Sequence, residues 1–248
     1  MASSCVTNKR YVYLQKDDVH KKALPLDTVL REYAYQDYEY RIQSEDILSI
    51  RFESLTPKEY DFFSKESPSQ GLNQQANPLL IGELVDDIGM VPFPVIGKVK
   101  VAGLTVFEAQ DTLQALANQY LESPIVKVRL LNFRITLLGE VSKEGTITMA
   151  NNRVSIMEAI GLAGGLTDLA DKRNIKLIRM RDGKSEVQYL NLLDESFIES
   201  PNFFVHQNDV LIVPALRQRP YRKYFGQNVQ LLVTTLSLIV LTLNLATR

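Results

Sequence analysis

The chain is 248 residues long, 45% hydrophobic and 23% charged, enough to bury a core and, at about 150 residues per domain, to make one or two small domains. Its 28 lysines and arginines against 29 acids leave a net charge of −1, which argues against the basic face or arm of a nucleic-acid binder. A single cysteine and two histidines exclude a disulfide framework and a zinc site of Cys/His type, which needs several ligands.

In chain order, the cysteine comes first. Cys5 follows Ser3-Ser4, and small residues before a cysteine match the end of a bacterial lipoprotein signal, whose cysteine becomes the acylated first residue. The apolar stretch of such a signal does not stand before it here, and an ordinary cysteine in a frayed terminus is the other reading. Residues 6–38 are polar and poorly periodic, with a tyrosine cluster at Tyr33, Tyr35, Tyr38 and Tyr40. They read as an extended leader packed against the first domain.

A strand is predicted at Tyr40–Ile42, a turn at Ser44-Glu45-Asp46 and an alternating strand at Ile47–Phe52. Residues 54–78 are rich in Ser, Pro, Gln and Asn and read as a long surface loop. Leu79–Val85 and Met90–Phe93 flank Asp86-Asp87-Ile88-Gly89, a hairpin signal. Thr105-Val106-Phe107-Glu108 is a capping box, and its helix carries Phe107, Leu113, Leu116 and Ala117 inward, ending near Tyr120. After Ser123-Pro124, Ile125–Leu131 alternates as a strand with Lys127 and Arg129 on one face.

From Ile135 the order of signals repeats. Leu138–Val141 leads through Gly145 to Thr146–Met149, and a second capping box at Ser155-Ile156-Met157-Glu158 opens a helix that stops at Gly164-Gly165. Strands at Ile175–Arg179 and Glu186–Leu190 flank a turn at Arg181-Asp182-Gly183-Lys184. The run Phe203–Pro214 repeats the pattern of Tyr40–Ile50: apolar residues, spacers, an aspartate, then alternating apolar residues. Ile96-Gly97-Lys98-Val99 likewise echoes Leu138-Gly139-Glu140-Val141. The expected fold class is α+β: two tandem small β/α modules followed by a C-terminal transmembrane helix. The divisions are a leader (1–38), a first module (39–132), a second (133–216) and a terminal segment (217–248).

That last segment carries no charge from Tyr224 to Thr247. As a helix it would span about 36 Å, against a hydrocarbon core of about 30 Å. At 100° per residue, Val229, Leu232, Val233, Leu236, Ile239, Val240 and Leu243 form an apolar face for lipid. Gln227, Gln230, Thr234, Ser237 and Asn244 recur opposite, with Asn228, Thr235 and Thr242 beside them. A lone span gains nothing from such a polar stripe, whereas several copies side by side could turn it toward each other or toward water. An ordinary buried helix at a domain's end is the alternative. Tyr221-Arg222-Lys223-Tyr224-Phe225 has the mix of a membrane-interface anchor.

Tyr40–Ile50 with Val91–Thr105 resembles the polysaccharide export sequence domain. Leu137–Pro214, with Gly139-Glu140-Val141, Glu158-Ala159-Ile160, Ala163-Gly164-Gly165-Leu166-Thr167 and Asn208–Pro214, resembles the soluble-ligand-binding β-grasp domain that follows it. The whole is similar to the outer-membrane polysaccharide export lipoproteins of the Wza-like family. The resemblance implies acylation at Cys5, a homo-oligomeric ring in the bacterial periplasm, and an outer-membrane barrel of C-terminal helices, reached by both lipid anchor and helix. It also implies passive conduction of capsular or exopolysaccharide, and an inner-membrane polysaccharide co-polymerase, often a tyrosine autokinase, as partner. This chain carries one β-grasp module where the best-known relatives carry two, so a shorter ring stack is expected.

No enzyme and no cofactor are expected. His206 lies in a strand-turn segment that suits a turn or interface histidine, and Cys5 has no basic neighbourhood to form a thiolate. Gly161–Gly165 lacks the Lys-Ser/Thr of a phosphate loop, so its glycines read as caps. The competing expectation is a membrane-tethered periplasmic β-grasp module that binds a small soluble ligand.

Overall fold

The computed structural model describes residues 12–16, 29–34, 38–55, 82–181, 183–217 and 219–246, with side chains of the last segment described over 229–245. Cys5, Gln227 as a side chain, and most of the expected loop at 54–78 lie outside the described residues.

The first module is organised by β1 (Ile47–Glu53). It pairs antiparallel with β5 (Ile125–Leu130) from Leu48↔Leu130 to Glu53↔Ile125, and with β2 (Glu83–Leu84) on its other side. The alternation in β5 is complete: Val126, Val128 and Leu130 face the core while Lys127 and Arg129 face out. A separate hairpin joins β3 (Met90–Phe93) to β4 (Gly97–Lys100). Helix α1 (Val106–Ala117) starts at Thr105, whose side chain accepts from the Glu108 amide while Glu108 accepts from the Thr105 amide. It buries Ala109, Leu113 and Ala117 and packs on β5.

The second module is a five-stranded sheet in the order β7-β6-β10-β8-β9. Its members are β6 (Arg134–Gly139), β7 (Gly145–Thr148), β8 (Ile175–Arg181), β9 (Lys184–Leu190) and β10 (Val210–Val213). Helix α2 (Ile156–Leu162) carries the second capping box at Ser155, and a 3-10 turn spans Glu195–Glu199. The last strand enters the middle: β10 runs parallel to β6 and antiparallel to β8. Gly139 closes β6 at φ +92°, where a Cβ would collide with the Val213 carbonyl of β10. One buried cluster runs through both modules, from Tyr40 through Phe133 to Val213.

The expected echo between modules is local and permuted. Gln43–Asp46 and His206–Asp209 fold alike: the Gln43 and His206 amides each donate to the aspartate carboxylate at 2.8 Å. In both, the residue before the aspartate is left-handed, Glu45 at φ +69° and Asn208 at φ +62°. Residues just upstream pair with a helix cap in both, Arg41 with Thr105 and Phe204 with Ser155. This turn opens the first module and closes the second, so the sheets around it differ.

Several expectations are corrected. Tyr40–Ile42 forms no strand, only the single bridge at Arg41. Asp86–Gly89 does turn the chain, with Gly89 at φ +80°, but β2 pairs with β1 and β3 with β4, so the hairpin turn lies at Pro94–Ile96. Phe107 is 74% exposed; one residue into the helix it falls on the solvent side, and Ala109 takes the core position. Gly97 opens a strand whereas Gly139 ends one, so those two segments are not equivalent. The leader's segment 12–16 joins the second module instead of the first.

Helix α3 (Arg219–Ala246) leaves the second module shortly after β10. Among the described residues no helix is long and apolar enough to cross a membrane. The side chains described on α3 cover 229–245, short of the roughly 20 residues a span takes.

Candidate functional site

The two aspartate turns hold the most buried charges. Asp209 is fully buried and Arg179 almost so; the guanidinium donates from Nε to Oδ1 at 3.0 Å and from Nη2 to Oδ2 at 2.7 Å. Nη1 donates to Asn202 Oδ1 and Nη2 also to the Phe204 carbonyl, both at 3.1 Å. Every nitrogen of the planar fork thus has a partner, the arrangement in which a buried ion pair is tolerated. Among the described residues Asp46 has no cation. Its Oδ2 accepts from the Tyr40 hydroxyl at 2.6 Å and from the Gln43 amide. Burial pushes both carboxyls above the ordinary range, against the hydrogen bonds that hold them ionised. Both are buried and held by their partners, so the turns read as structural.

Between the modules lies a joint of three residues, Leu131, Asn132 and Phe133. Asn132 serves both sides. Its Oδ1 accepts from the Ile47 amide at 2.9 Å, its Nδ2 donates to the Glu45 carbonyl at 3.0 Å, and its own carbonyl accepts from Gln207 Nε2 at 2.8 Å. Gln207 Oε1 in turn accepts from the Arg134 amide at 2.8 Å. The two aspartate turns are thereby tied through one asparagine. Phe133 meets Tyr40 edge to face at 5.5 Å, and Tyr38 stacks on His206 at 4.1 Å. The expected interface histidine is thus found at the joint. Burial, with Arg179 and Arg181 nearby, lowers the imidazole to about 3, so it is neutral at pH 7. Sequence reasoning missed Asn132; the signal available was a polar residue stranded between two alternating strands.

The leader is the second feature that sequence reading misplaced. Leu14 and Gln15 donate their amides to the Leu192 and Leu193 carbonyls at 3.0 and 2.6 Å, and Glu195 donates back to the Gln15 carbonyl at 3.1 Å. Farther along, Arg31 grips Glu195 with two bonds, Nε to Oε1 at 2.8 Å and Nη2 to Oε2 at 2.5 Å. Lys172 lies 4.0 Å over the Tyr13 ring.

On α3 every side chain from 229 to 245 is exposed. The expected lipid-facing Leu232, Leu236, Ile239 and Leu243 and the expected polar Gln230, Thr234, Ser237 and Asn244 are therefore not distinguished by burial. Their hydrogen bonds are informative. Thr234 and Thr235 donate to the carbonyls of Gln230, Leu231 and Leu232, Ser237 to that of Thr234, and Thr242 to that of Ile239. A hydroxyl satisfied by its own helix makes no demand on its surroundings. Among the described side chains the amides Gln230 and Asn244 carry the rest of the stripe's polarity. Sequence reading also missed that 227–247 is three seven-residue units with leucine fifth in each, at Leu231, Leu238 and Leu245.

Among the described residues no three or more His, Cys, Asp or Glu side chains gather as a metal site.

Residues 34–131 match the polysaccharide biosynthesis/export protein family, and residues 134–213 match the SLBB domain. The chain is also similar to the EPS I polysaccharide export outer membrane protein EpsA of Ralstonia nicotianae, 29% identical over 194 residues, 75% of this chain and 49% of that protein. The EpsA of Ralstonia solanacearum is 29% identical over 181 residues, 70% of this chain and 47% of its own length. The chain spans about half the length of these curated relatives. The export domain followed by the SLBB domain, with the likeness to the two EpsA proteins, supports a Wza-like polysaccharide export protein, a kind of transport component and not an enzyme.

Proposed function

We propose that the protein is the repeating subunit of an outer-membrane conduit that passes capsular or exopolysaccharide from the periplasm to the cell surface. Its parts are the leader (1–38), the export domain (39–132), the β-grasp domain (133–216) and the anchor with its terminal helix (217–248). The export role draws its support from the family match and from the names of the relatives. One observation carries the conduit: α3 projects from a well-packed body with every described side chain exposed, apolar ones included. Exposed apolar surface on that scale demands lipid or other copies of the same helix.

The remaining pieces fit that reading. The leader is clamped to the second module, and Cys5 stands seven steps along the chain from Val12, a reach of about 25 Å at full extension. An acyl chain on Cys5 and the start of α3 would thus hang from the same module, so both anchors pull on one rigid body. One acyl chain holds a membrane only marginally, which leaves most retention to the helices. Leu232, Leu236, Ile239 and Leu243 face lipid, and Gln227, Gln230, Thr234, Ser237 and Asn244 face the channel or its seams. A ring repeats weak glycan contacts many times over. The first module, which carries neither anchor, is the face offered to an inner-membrane co-polymerase.

The test is the size and labelling of the detergent-extracted particle. A ring gives a particle of several hundred kilodaltons, allowing for detergent; a monodisperse monomer overturns the conduit. Single cysteines at Thr234, Ser237 or Asn244 should react with a membrane-impermeant thiol reagent while those at Leu232, Leu236 or Ile239 stay protected. Equal protection means a dry bundle, and equal labelling means a helix outside the membrane, as in a merely tethered ligand-binding module.

A further inference from the structure

The outer face of the first module's sheet is built against its own electrostatics. Register sets Arg51 of β1 directly opposite Lys127 of β5, and Ser49 opposite Arg129, so Arg129 lies diagonal to Arg51. All three cations are exposed. Directly opposed like charges destabilise an antiparallel pair, and diagonal neighbours remain within reach of long side chains. Only one carboxylate of these two strands shares the face, Glu53, and it is taken by Lys127 at 2.8 Å. Among the described residues neither Arg51 nor Arg129 has an ion-pair partner. The inward residues Leu48, Val126, Val128 and Leu130 supply the packing, so the fold itself has no use for the cations.

We infer that this strip is a contact site for an acidic glycan, with Arg51 and Arg129 pairing carboxylates or phosphates borne on successive sugars. Along a strand, side chains on one face repeat about every 7 Å, and across the pair about every 5 Å. A polymer with repeated charges meets such a strip in several registers, which suits transit better than a single tight pocket. The chain as a whole is near neutral, so the strip is a local feature and not part of a general basic coat. The inference rests on the export reading and names the class of its cargo. Repetition of the strip by several copies would raise avidity without tightening any one contact.

The experiment uses the full chain in detergent and three probes: polygalacturonate, dextran of similar length, and duplex DNA. Wild type should bind polygalacturonate at low salt and lose it as salt rises, with no measurable binding to dextran. Arg51→Gln/Arg129→Gln should weaken polygalacturonate binding about tenfold, while Lys143→Gln/Arg173→Gln on the second module should leave it unchanged. The thermal midpoint of the Arg51→Gln/Arg129→Gln protein should equal or exceed that of wild type, because a repulsive pair is gone. Arg51→Lys/Arg129→Lys should retain binding, and it keeps the test valid should the glutamine variant fold poorly. Unchanged affinity in the glutamine variant, equal binding of dextran, or DNA bound as well as polygalacturonate overturns the site. Particle size on the same preparation separates the two readings. A ring without charge-dependent binding sinks the strip alone; a monomer sinks the conduit, whatever the strip binds.

Discussion

The two aspartate turns share a backbone and differ in the partner that meets the buried carboxyl. In the first, Tyr40 offers a neutral hydroxyl to Asp46; in the second, Arg179 offers a charge and a two-pronged fork to Asp209. The contrast shows that the turn needs an acceptor for its own amide, and that what neutralises the acceptor is set by the surrounding module. A phenol leaves the carboxyl able to take a proton when its surroundings change. A guanidinium commits both partners to remain charged, and removing either strands the other in the core.

The largest expected effect therefore falls on the second turn. Arg179→Met should cost about 3–5 kcal/mol, the penalty for leaving a buried carboxylate without its counter-charge. Adding Asp209→Asn should recover a large part of it. Denaturant unfolding of the solubilised full chain measures the loss, and amide exchange should localise it to β8 and β10.

Acid separates the turns next. His206 opens the second turn where Gln43 opens the first, and its folded value near 3 lies below the ordinary 6.5. As pH falls below about 6.5, the unfolded chain takes up the proton first, so stability present above 6.5 is lost progressively toward pH 3. The slope is less than about 1.4 kcal/mol per pH unit, since solvent reaches part of the ring. Asp46 has the opposite sign: raised on folding by burial, it binds a proton first in the folded state and adds stability as the medium turns acid. His206→Gln makes the second turn resemble the first and should flatten the profile between pH 6.5 and 4.5. An unchanged profile would mean that the stack on Tyr38 does not exclude the charged ring.

Tyr40→Phe should cost about 1–2 kcal/mol, less than Arg179→Met because Asp46 can offset the lost donor by protonation. Smallest are the caps beside the two turns. Thr105→Ala and Ser155→Ala should each cost about 1 kcal/mol in thermal unfolding, and the similarity of the two values is the point. A large difference would show that the caps are not equivalent despite their matching bridges to Arg41 and Phe204.

What could be read in the sequence was what neighbours in sequence decide. Both capping boxes, the alternation of Ile125–Leu130 and the β8–β9 pairing follow from contacts between residues a few positions apart. The shared aspartate turn was legible for the same reason. The failures were matters of partnership at long range. Asp86–Gly89 carries a good turn, yet β1 and β4, both distant in the chain, captured the strands on either side. Phe107 sat in a helical window whose period fixed spacing but left the phase of the apolar face open by one residue. The hydrogen bonds that dock Leu14 and Gln15 on residues 192–195 run between main-chain groups, which carry no residue signature. Of the candidate surfaces, the α3 stripe was visible as a pattern, but only the structure showed its hydroxyls turned inward.

Asn132 gives the joint a mechanical meaning. A linker of three residues would ordinarily behave as a swivel, yet this one is pinned to the first module by its side chain and to the second by its carbonyl. The angle between modules is therefore held fixed. In the proposed ring such an angle would be counted once per subunit, so an error of a few degrees would accumulate around the circumference until the last interface could not meet the first. A single amide would thus act as a tolerance on the whole circle, and loosening it would be felt as broken or miscounted rings before any subunit lost its fold.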